Sequence, residues 1–279
     1  PSLHSYHLCH VLVSEPHKAT NHGDCNLNHA RPPATNIASL HPRFLIESNN
    51  NPTKTARAEP MSTPLTPSST TKAAITGLIL AGGRSQRMGQ DKALITLEGR
   101  SLLQWSEARL APQVSSLIIS SNRPKALLPL TRSDIIEDNT LDQRLPPYSG
   151  PLAGILSALL WMRRCQPDKH WLLSVAVDTP QFPLSLAEDL FKQASTYHQK
   201  LVCAASADKL HPTCAIWHTD LIAPLSAYLM AGERRLMRFH KIHGGGCVSY
   251  STSPRDPFFN LNTEADVAQL EWENSAFKD

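Results

Sequence analysis

From residue 75 onward the chain alternates short apolar runs with stretches of helical period. Residues 75–81 are continuously apolar or small and end in two glycines, as a buried strand would. Residues 101–111 carry Leu102, Leu103, Trp105 and Leu110 at helical spacing, with Ser101 placed as N-cap. Strand-like runs follow at 116–120 and 134–136, the second stopping at Glu137-Asp138. Gly150-Pro151 opens a helix through Arg164, with Leu152, Ile155, Leu156, Leu159 and Leu160 on one side and proline in the first turn. Residues 171–177 form a near-continuous apolar run that stops at Asp178-Thr179-Pro180. Beyond it the pattern predicts helices over 184–194, 221–230 and 233–241, and strands over 200–205, 213–217, 248–250 and 258–261. A last helix starts at Glu264 behind Thr263. Strands apolar on both faces and alternating with helices predict an α/β, Rossmann-like fold. Its mostly parallel sheet is covered by helices on both faces and makes a single domain over 73–279. In such sheets ligands sit beyond the carboxyl ends of the strands, where the loops after 81, 136 and 177 converge.

Composition divides the chain at residue 72. Residues 1–72 hold nine of the 22 prolines, seven of the 13 histidines and one glycine, with no sustained apolar period. Such a segment buries too little apolar surface to offset an ordering cost of roughly 1–2 kcal/mol per residue, and it reads as disordered or as a leader. Pro1 opens the chain and Met61 precedes a short polar approach to the first strand, so residues 1–60 are expected to be upstream translation with Met61 as the natural start. Mass spectrometry of native material checks this. The acid-poor first 46 residues resemble a transit peptide in that respect only, since arginines are few and prolines many.

Residues 73–279 carry 21 of the 27 Lys+Arg and 20 of the 24 Asp+Glu, a near-neutral balance that speaks against a nucleic-acid or membrane partner. No apolar stretch reaches the length of a membrane span. The six cysteines form no C-x-x-C pair, and those from Cys165 on lie in or beside apolar segments, as buried thiols of a reducing, cytoplasmic compartment would. His4, His7, Cys9 and His10 have metal-like spacing but no folded context to fix it.

The chemistry concentrates after the first strand, in Leu80-Ala81-Gly82-Gly83-Arg84-Ser85-Gln86-Arg87-Met88-Gly89-Gln90-Asp91-Lys92. This is neither a Walker A loop nor G-x-G-x-x-G. Two glycines allow close backbone approach, and Arg84, Arg87 and Lys92 can neutralise phosphate charge; a solvent-facing loop with ordinary cations is the plain alternative. Asp178 ends an apolar strand, where a carboxylate can hold a divalent cation against phosphates or simply form the turn before Pro180. Asp138 is a second strand-end carboxylate, a ligand contact or a turn residue. Gly150 and Gly154 flank a helix N-terminus and suit close approach of an anion. Asn260 and Asn262 alternate on the short predicted strand. Arg234 and Arg235 open a helix, where a cation is ill placed against the dipole; a contact to an anion or partner and a solvated face are both open.

The pattern L-A-G-G-x-S-x-R-M-G-x-D-K resembles the signature of nucleotidyltransferases, and within them the molybdenum cofactor guanylyltransferases, the MobA family. Further motifs agree in order: Ser121-Asn122-Arg123, Ile136-Glu137-Asp138, Tyr148 to Gly154, Val177 to Pro180, His211-Pro212-Thr213, Ala231 to Arg235 and Phe259 to Thr263. The resemblance spans roughly residues 75–272. It implies transfer of GMP from GTP to molybdenum-bound molybdopterin, giving the guanine dinucleotide and pyrophosphate. It further implies Arg87, Lys92 and Asp178 as catalytic residues, and Asp178 as the ligand of Mg²⁺. A GTP site of Leu80, Ala81, Gly82, Gly83, Lys92, Ser120, Asn122, Asp138 and Asp178 follows, as does a second-substrate site around Gly150, Gly154, Asn260 and Asn262. Molybdenum-insertion and molybdoenzyme-maturation proteins are the implied partners. Ser120 stands where the family often has Asn, a shorter side chain that weakens a base or ribose contact or bridges it by water. Rival readings are the cytidylyltransferase paralogue, a sugar-phosphate nucleotidyltransferase and a non-catalytic nucleotide-binding carrier.

Overall fold

A computed structural model of the chain describes residues 69–82, 91–137 and 150–276, all within the unit Pro60–Asp279. The elements run α1 (Ser69–Ala74), β1 (Ile75–Leu80), a ribbon of β2 (Thr96–Leu97) and β3 (Arg100–Ser101), α2 (Leu102–Leu110), β4 (Ser116–Ser120), α3 (Pro124–Leu127), β5 (Asp134–Ile136), α4 (Pro151–Cys165), β6 (Trp171–Ala176), α5 (Leu186–Thr196), β7 (Leu201–Ser206), β8 (Lys209–His218), α6 (Ile222–Met230), α7 (Leu236–Ile242), β9 (Gly246–Tyr250) and α8 (Glu264–Ala276).

Seven strands join in the order β5-β4-β1-β6-β8-β7-β9. β1 lies parallel to β4 and β6, β4 to β5, and β7 to β9. β8 runs antiparallel to both β6 and β7. All six residues of β1 are buried, and they alternate. Ile75 and Ile79 enter the core that holds Leu103, Leu190 and Leu270, while Leu78 and Leu80 enter the core that holds Leu156, Leu225 and Phe239. One strand thus feeds the helices of both faces, which is why it reads as continuously apolar. Gly77 interrupts that run because a Cβ there would lie 2.9 Å from both Leu117 Cδ1 and Val114 Cγ2.

The helix signals act as their chemistry suggests. Ser101 accepts from the Gln104 amide at 3.2 Å while the Gln104 side chain accepts from the Ser101 amide at 3.0 Å, a reciprocal capping box on α2. Pro151 starts α4 behind Gly150, whose φ of 81° favours a residue without Cβ.

Several sequence expectations change. Of the cysteines expected to be buried thiols, Cys203 and Cys214 are buried but Cys165 and Cys247 are exposed, because Cys165 ends α4 and Cys247 lies on β9 at the sheet's edge. α1 begins at Ser69, inside the stretch read as disordered; the expectations for 1–68 lie outside the described residues. No strand forms over 258–261, so Asn260 and Asn262 sit on irregular chain. Phe258 and Leu261 are buried there, but the Leu261 amide donates to the Asp178 carbonyl at 2.8 Å instead of to a sheet ladder. The apolar cluster marked a buried stretch at Phe258 and Leu261, not a paired strand. The strand expected at 213–217 starts four residues earlier, after a turn through Ala207 and Asp208, both at positive φ. Its pairing with β7 jumps from Cys203↔Ala215 to Ala204↔His211, so residues 212–214 bulge from the ladder.

The chain goes from β1 to β4 and β5 on one side, then crosses back to β6 on the other. The switch point lies between the carboxyl ends of β1 and β6, where Leu80 pairs with Ala176.

Candidate active site

A cleft of about 360 Å³ opens at that switch point. Its lining comes from six segments: Leu80, Ala81 and Gly82 at the end of β1, Asp91 and Lys92, Ala176 to Asp178 at the end of β6, and Pro151, Thr213 and Asn260 singly. The strand ends are locked together below it. The Ala81 amide donates to the Ser120 carbonyl at 2.9 Å and the Val177 amide to the Leu80 carbonyl at 3.2 Å. Residues 212–214, bulging from β8, bring Thr213 to the rim, and the Ser174 hydroxyl holds its carbonyl at 2.8 Å. At Pro151 the cleft meets the N-terminus of α4, the positive end of a 15-residue helix dipole.

Lys92 and Asp178 meet across the cleft. Lys92 opens a single 3-10 turn, Lys92–Leu94, capped by the Asp91 carboxylate on the Ala93 amide at 3.1 Å and anchored by buried Ala93. Its Nζ donates to Asp178 Oδ2 at 2.8 Å and to Asn262 Oδ1 at 2.7 Å. The two ends of the ion pair are 23% and 22% exposed, so the pair is shielded from bulk water yet reachable. Thr179 Oγ1 donates to Asn260 Oδ1 at 2.7 Å, which ties the chain around Asn260 to the end of β6. Two oxygens from separate segments therefore converge on one positive charge. A carboxylate and an amide oxygen are hard donors, the kind a Mg²⁺-class cation takes, so these residues fit such an ion. Cys214, beside Thr213, is no nucleophile: burial pushes its thiol up to about 12.

The sequence pattern of the MobA-like NTP transferase domain matches residues 77–244. The chain is 39% identical over 200 residues to the molybdenum cofactor guanylyltransferase of Serratia proteamaculans, covering 71% of this chain and 94% of that protein. This chain is a member of the MobA-like NTP transferase family. Among solved structures it is similar to molybdopterin-guanine dinucleotide biosynthesis protein A from Archaeoglobus fulgidus, with TM-score 0.57, 21% identity and coverage of 72% and 99% of the two chains. A second is Rv0371c from Mycobacterium tuberculosis in complex with manganese, with TM-score 0.51, 15% identity and coverage of 72% and 99%. At these identities both speak to the fold.

Within this family member the structure gathers Leu80, Ala81, Gly82, Lys92, Asp178 and Asn260 on one cleft, with Asn262 joined to it through Lys92. Ser120 is buried at the end of β4, and Asn122 follows two residues on. Gly150 is exposed at the cap of α4, whereas Gly154 is buried within that helix and is not among the lining residues. Gly83, Arg84, Arg87 and Asp138 lie outside the described residues. Arg234 has a structural partner: its guanidinium donates to the Leu229 and Glu233 carbonyls at 2.6 and 2.8 Å, across the C-terminal end of α6. The favourable dipole end it occupies belongs to the preceding helix, which spacing alone did not reveal. Asp91, Pro151, Thr179 and Thr213 all stood inside quoted motifs, Pro151 as a helix start and the others without a role of their own; the cap at Asp91 and the bulge at Thr213 bring those two to the cleft.

Proposed function

We propose that this cleft binds GTP and that the chain transfers GMP to molybdenum-bound molybdopterin, releasing pyrophosphate, as the names of its curated relatives suggest. One observation carries the reading. Lys92, Asp178 and Asn262, from three separate segments, converge at the switch point of a family member's sheet.

The terminal phosphate oxygen of the pterin attacks the α-phosphorus of GTP in line. The new P–O bond forms as the bond to the bridging oxygen of pyrophosphate breaks. No protein nucleophile is required, in keeping with the neutral buried thiol of Cys214. The task left to the protein is charge: two anions must approach, and negative charge builds on the leaving group. Lys92 supplies a fixed ammonium at the place where that charge appears. Asn262 shares Lys92 with Asp178 and so aims it. The N-terminus of α4 favours the same anions from the side. Asp178, with Asn260 and Asn262 near it, would hold Mg²⁺, which when bound screens the phosphate oxygens from one another. Arg87 adds a second cation from the glycine-rich loop.

Base contacts fall to backbone at 80–82. The Ala81 amide and the Leu80 carbonyl already serve the sheet, so guanine recognition rests on the remaining groups there, with exposed Gly82 foremost. Ser120, Asn122, Asp138 and Gly83 complete the nucleotide side of the proposal, and Gly150 and Gly154 the pterin side. We place the catalytic unit in residues 73–279 and the reaction in the cytoplasm, where the four free cysteines of the described residues stay reduced. Molybdenum-insertion and molybdoenzyme-maturation proteins are its proposed partners.

Pyrophosphate release tests the reading, using purified molybdate-loaded molybdopterin and each nucleoside triphosphate in turn. GTP should support turnover and CTP should not compete. Turnover with CTP, or with a hexose 1-phosphate replacing the pterin, reassigns the substrate; nucleotide binding without pyrophosphate release makes the chain a carrier.

A further inference from the structure

Ser206, His211 and Asp256 form a hydrogen-bonded chain beyond the cleft lining, and the transfer reaction makes no use of it. Ser206 closes β7 and is 3% exposed. Its Oγ donates to Asp256 Oδ1 at 2.8 Å and lies 2.7 Å from His211 Nε2. A hydroxyl has one proton to give. With that proton on Asp256, the serine oxygen accepts from the imidazole, so Nε2 carries a hydrogen. This order is the reverse of a nucleophilic triad, in which the imidazole accepts from the serine. Burial holds the His211 imidazole below its ordinary value, against the pull of Asp256 and with the help of Lys209, which suits a neutral ring that donates through Nε2.

Asp256 Oδ1 also accepts from the Phe258 amide at 2.9 Å, and the Asp256 carbonyl accepts from the Phe259 amide at 3.2 Å. The Phe258 ring stacks on His211 at 4.7 Å and 20°, and stands edge-on to Tyr250 at 5.3 Å. Two residues further the chain delivers Asn260 to Thr179, then Leu261 to the Asp178 carbonyl and Asn262 to Lys92. The segment from 256 to 262 lacks a ladder partner along its length. It is bolted at the β7–β8 hairpin and at the end of β6 instead, and its last residue is also tied to α8, where the Asn262 amide donates to Asp266 Oδ2 at 2.8 Å.

We propose that Ser206, His211 and Asp256 are positioning residues that set the Asn260–Asn262 segment against Lys92 and Asp178. The proposal rests on the reading of this cleft as the transfer site.

The test compares Ser206→Ala and Asp256→Ala with Asp256→Asn, whose amide oxygen can accept the same two bonds. In hydrogen exchange the amides of Phe258 and Leu261 should open roughly tenfold faster in both alanine variants, with β1 and β6 unchanged and Asp256→Asn near wild type. In the transfer assay kcat should fall roughly tenfold or more in the alanine variants, as displaced groups do, while GTP affinity by calorimetry stays within about twofold. Unchanged exchange overturns the proposal. So does loosening that spreads through the sheet with parallel loss of GTP affinity, or local loosening with wild-type kcat. If the wild-type protein transfers no nucleotide at all, the GMP-transfer reading falls on its own, and the exchange arm alone decides whether the triplet holds the segment.

Discussion

Two lysine–aspartate pairs stand at opposite ends of β6, both at 2.8 Å, and they differ in nearly everything else. Lys92–Asp178 lies past the carboxyl end of the strand, with its side chains 23% and 22% exposed. Lys200–Asp220 lies near the amino end, where Trp171 pairs with His218, and its side chains are 57% and 53% exposed. The first joins segments 86 residues apart and draws in Asn262 from a third. The second closes one antiparallel pair of strands, with His218 Nδ1 at 3.3 Å from the same carboxylate. Distance therefore says nothing about which pair can do chemistry. Shielding from water makes a charge pair strong, and convergence of separate chain segments makes it precise enough to orient a substrate.

Removing the cleft carboxylate breaks the comparison most severely. Asp178→Asn keeps the backbone carbonyl that receives the Leu261 amide, so the fold should persist by circular dichroism. GMP transfer should drop by roughly a thousandfold, about 4 kcal/mol of transition-state stabilisation. A fully active variant would remove Asp178 from the chemistry. Lys92→Ala comes next, with a loss on the order of 2–4 kcal/mol in kcat/KM, since a preorganised charge leaves the site. Near-wild-type kcat/KM would show that the cation of the cleft comes from elsewhere. Asn262→Ala should cost less, about 1.5 kcal/mol: it removes one solvent-exposed hydrogen bond to a charged group and leaves Lys92 on Asp178. A loss as large as that of Lys92→Ala would mean that Asn262 does more than aim Lys92 and holds substrate or the cation directly.

The same contrast explains what could be read from the chain beforehand. β1 and β6 are legible because burial on both faces demands near-continuous apolar runs, β4 and the edge strand β5 through their short β-branched runs, and Ser101 and Pro151 mark helix starts through local chemistry. Asp178 and Lys92 are legible because they follow such runs or stand in a dense motif. Asn260 and Asn262 were marked as site residues, yet placed on a strand that does not form, because the apolar cluster Phe258, Phe259 and Leu261 reads as a short strand while the amides of Phe258 and Leu261 bond to Asp256 and Asp178. The bulge that presents Thr213 follows a hairpin through Ala207-Asp208, a pair without glycine that gives little turn signal. Arg234 looked unfavourable at the start of α7 because its true partners are carbonyls at the end of α6. In each of these cases the missing information was a hydrogen bond to a partner that spacing does not reveal, distant in the chain for Leu261 and only one to five residues away for Arg234 and Phe258.

The exposed pair offers the smallest effect and the sharpest control. Lys200→Ala should change stability by no more than about 1 kcal/mol, as exposed pairs do, and leave GMP transfer untouched. The hydrogen bond from Lys200 is the main influence holding the Asp220 carboxyl below its ordinary value; burial opposes it slightly and His218 adds to it. A carboxylate with a lowered folded pKa stabilises the fold above its unfolded value, and that contribution is lost as pH falls through the folded value. The difference in melting temperature between wild type and Lys200→Ala should therefore be constant near neutrality and close as the pH drops below the ordinary carboxylate range. His218 has the same sign for another reason. Burial, helped by His170 and Lys200, lowers its imidazole pKa against the pull of Asp220, so its share is lost earlier, as pH falls below the ordinary imidazole value, and Lys200→Ala removes only the small part that Lys200 supplies. A gap that persists into strong acid would show that Lys200 acts through packing of its stem, and a fall in transfer activity would mean that the two ends of β6 are coupled after all.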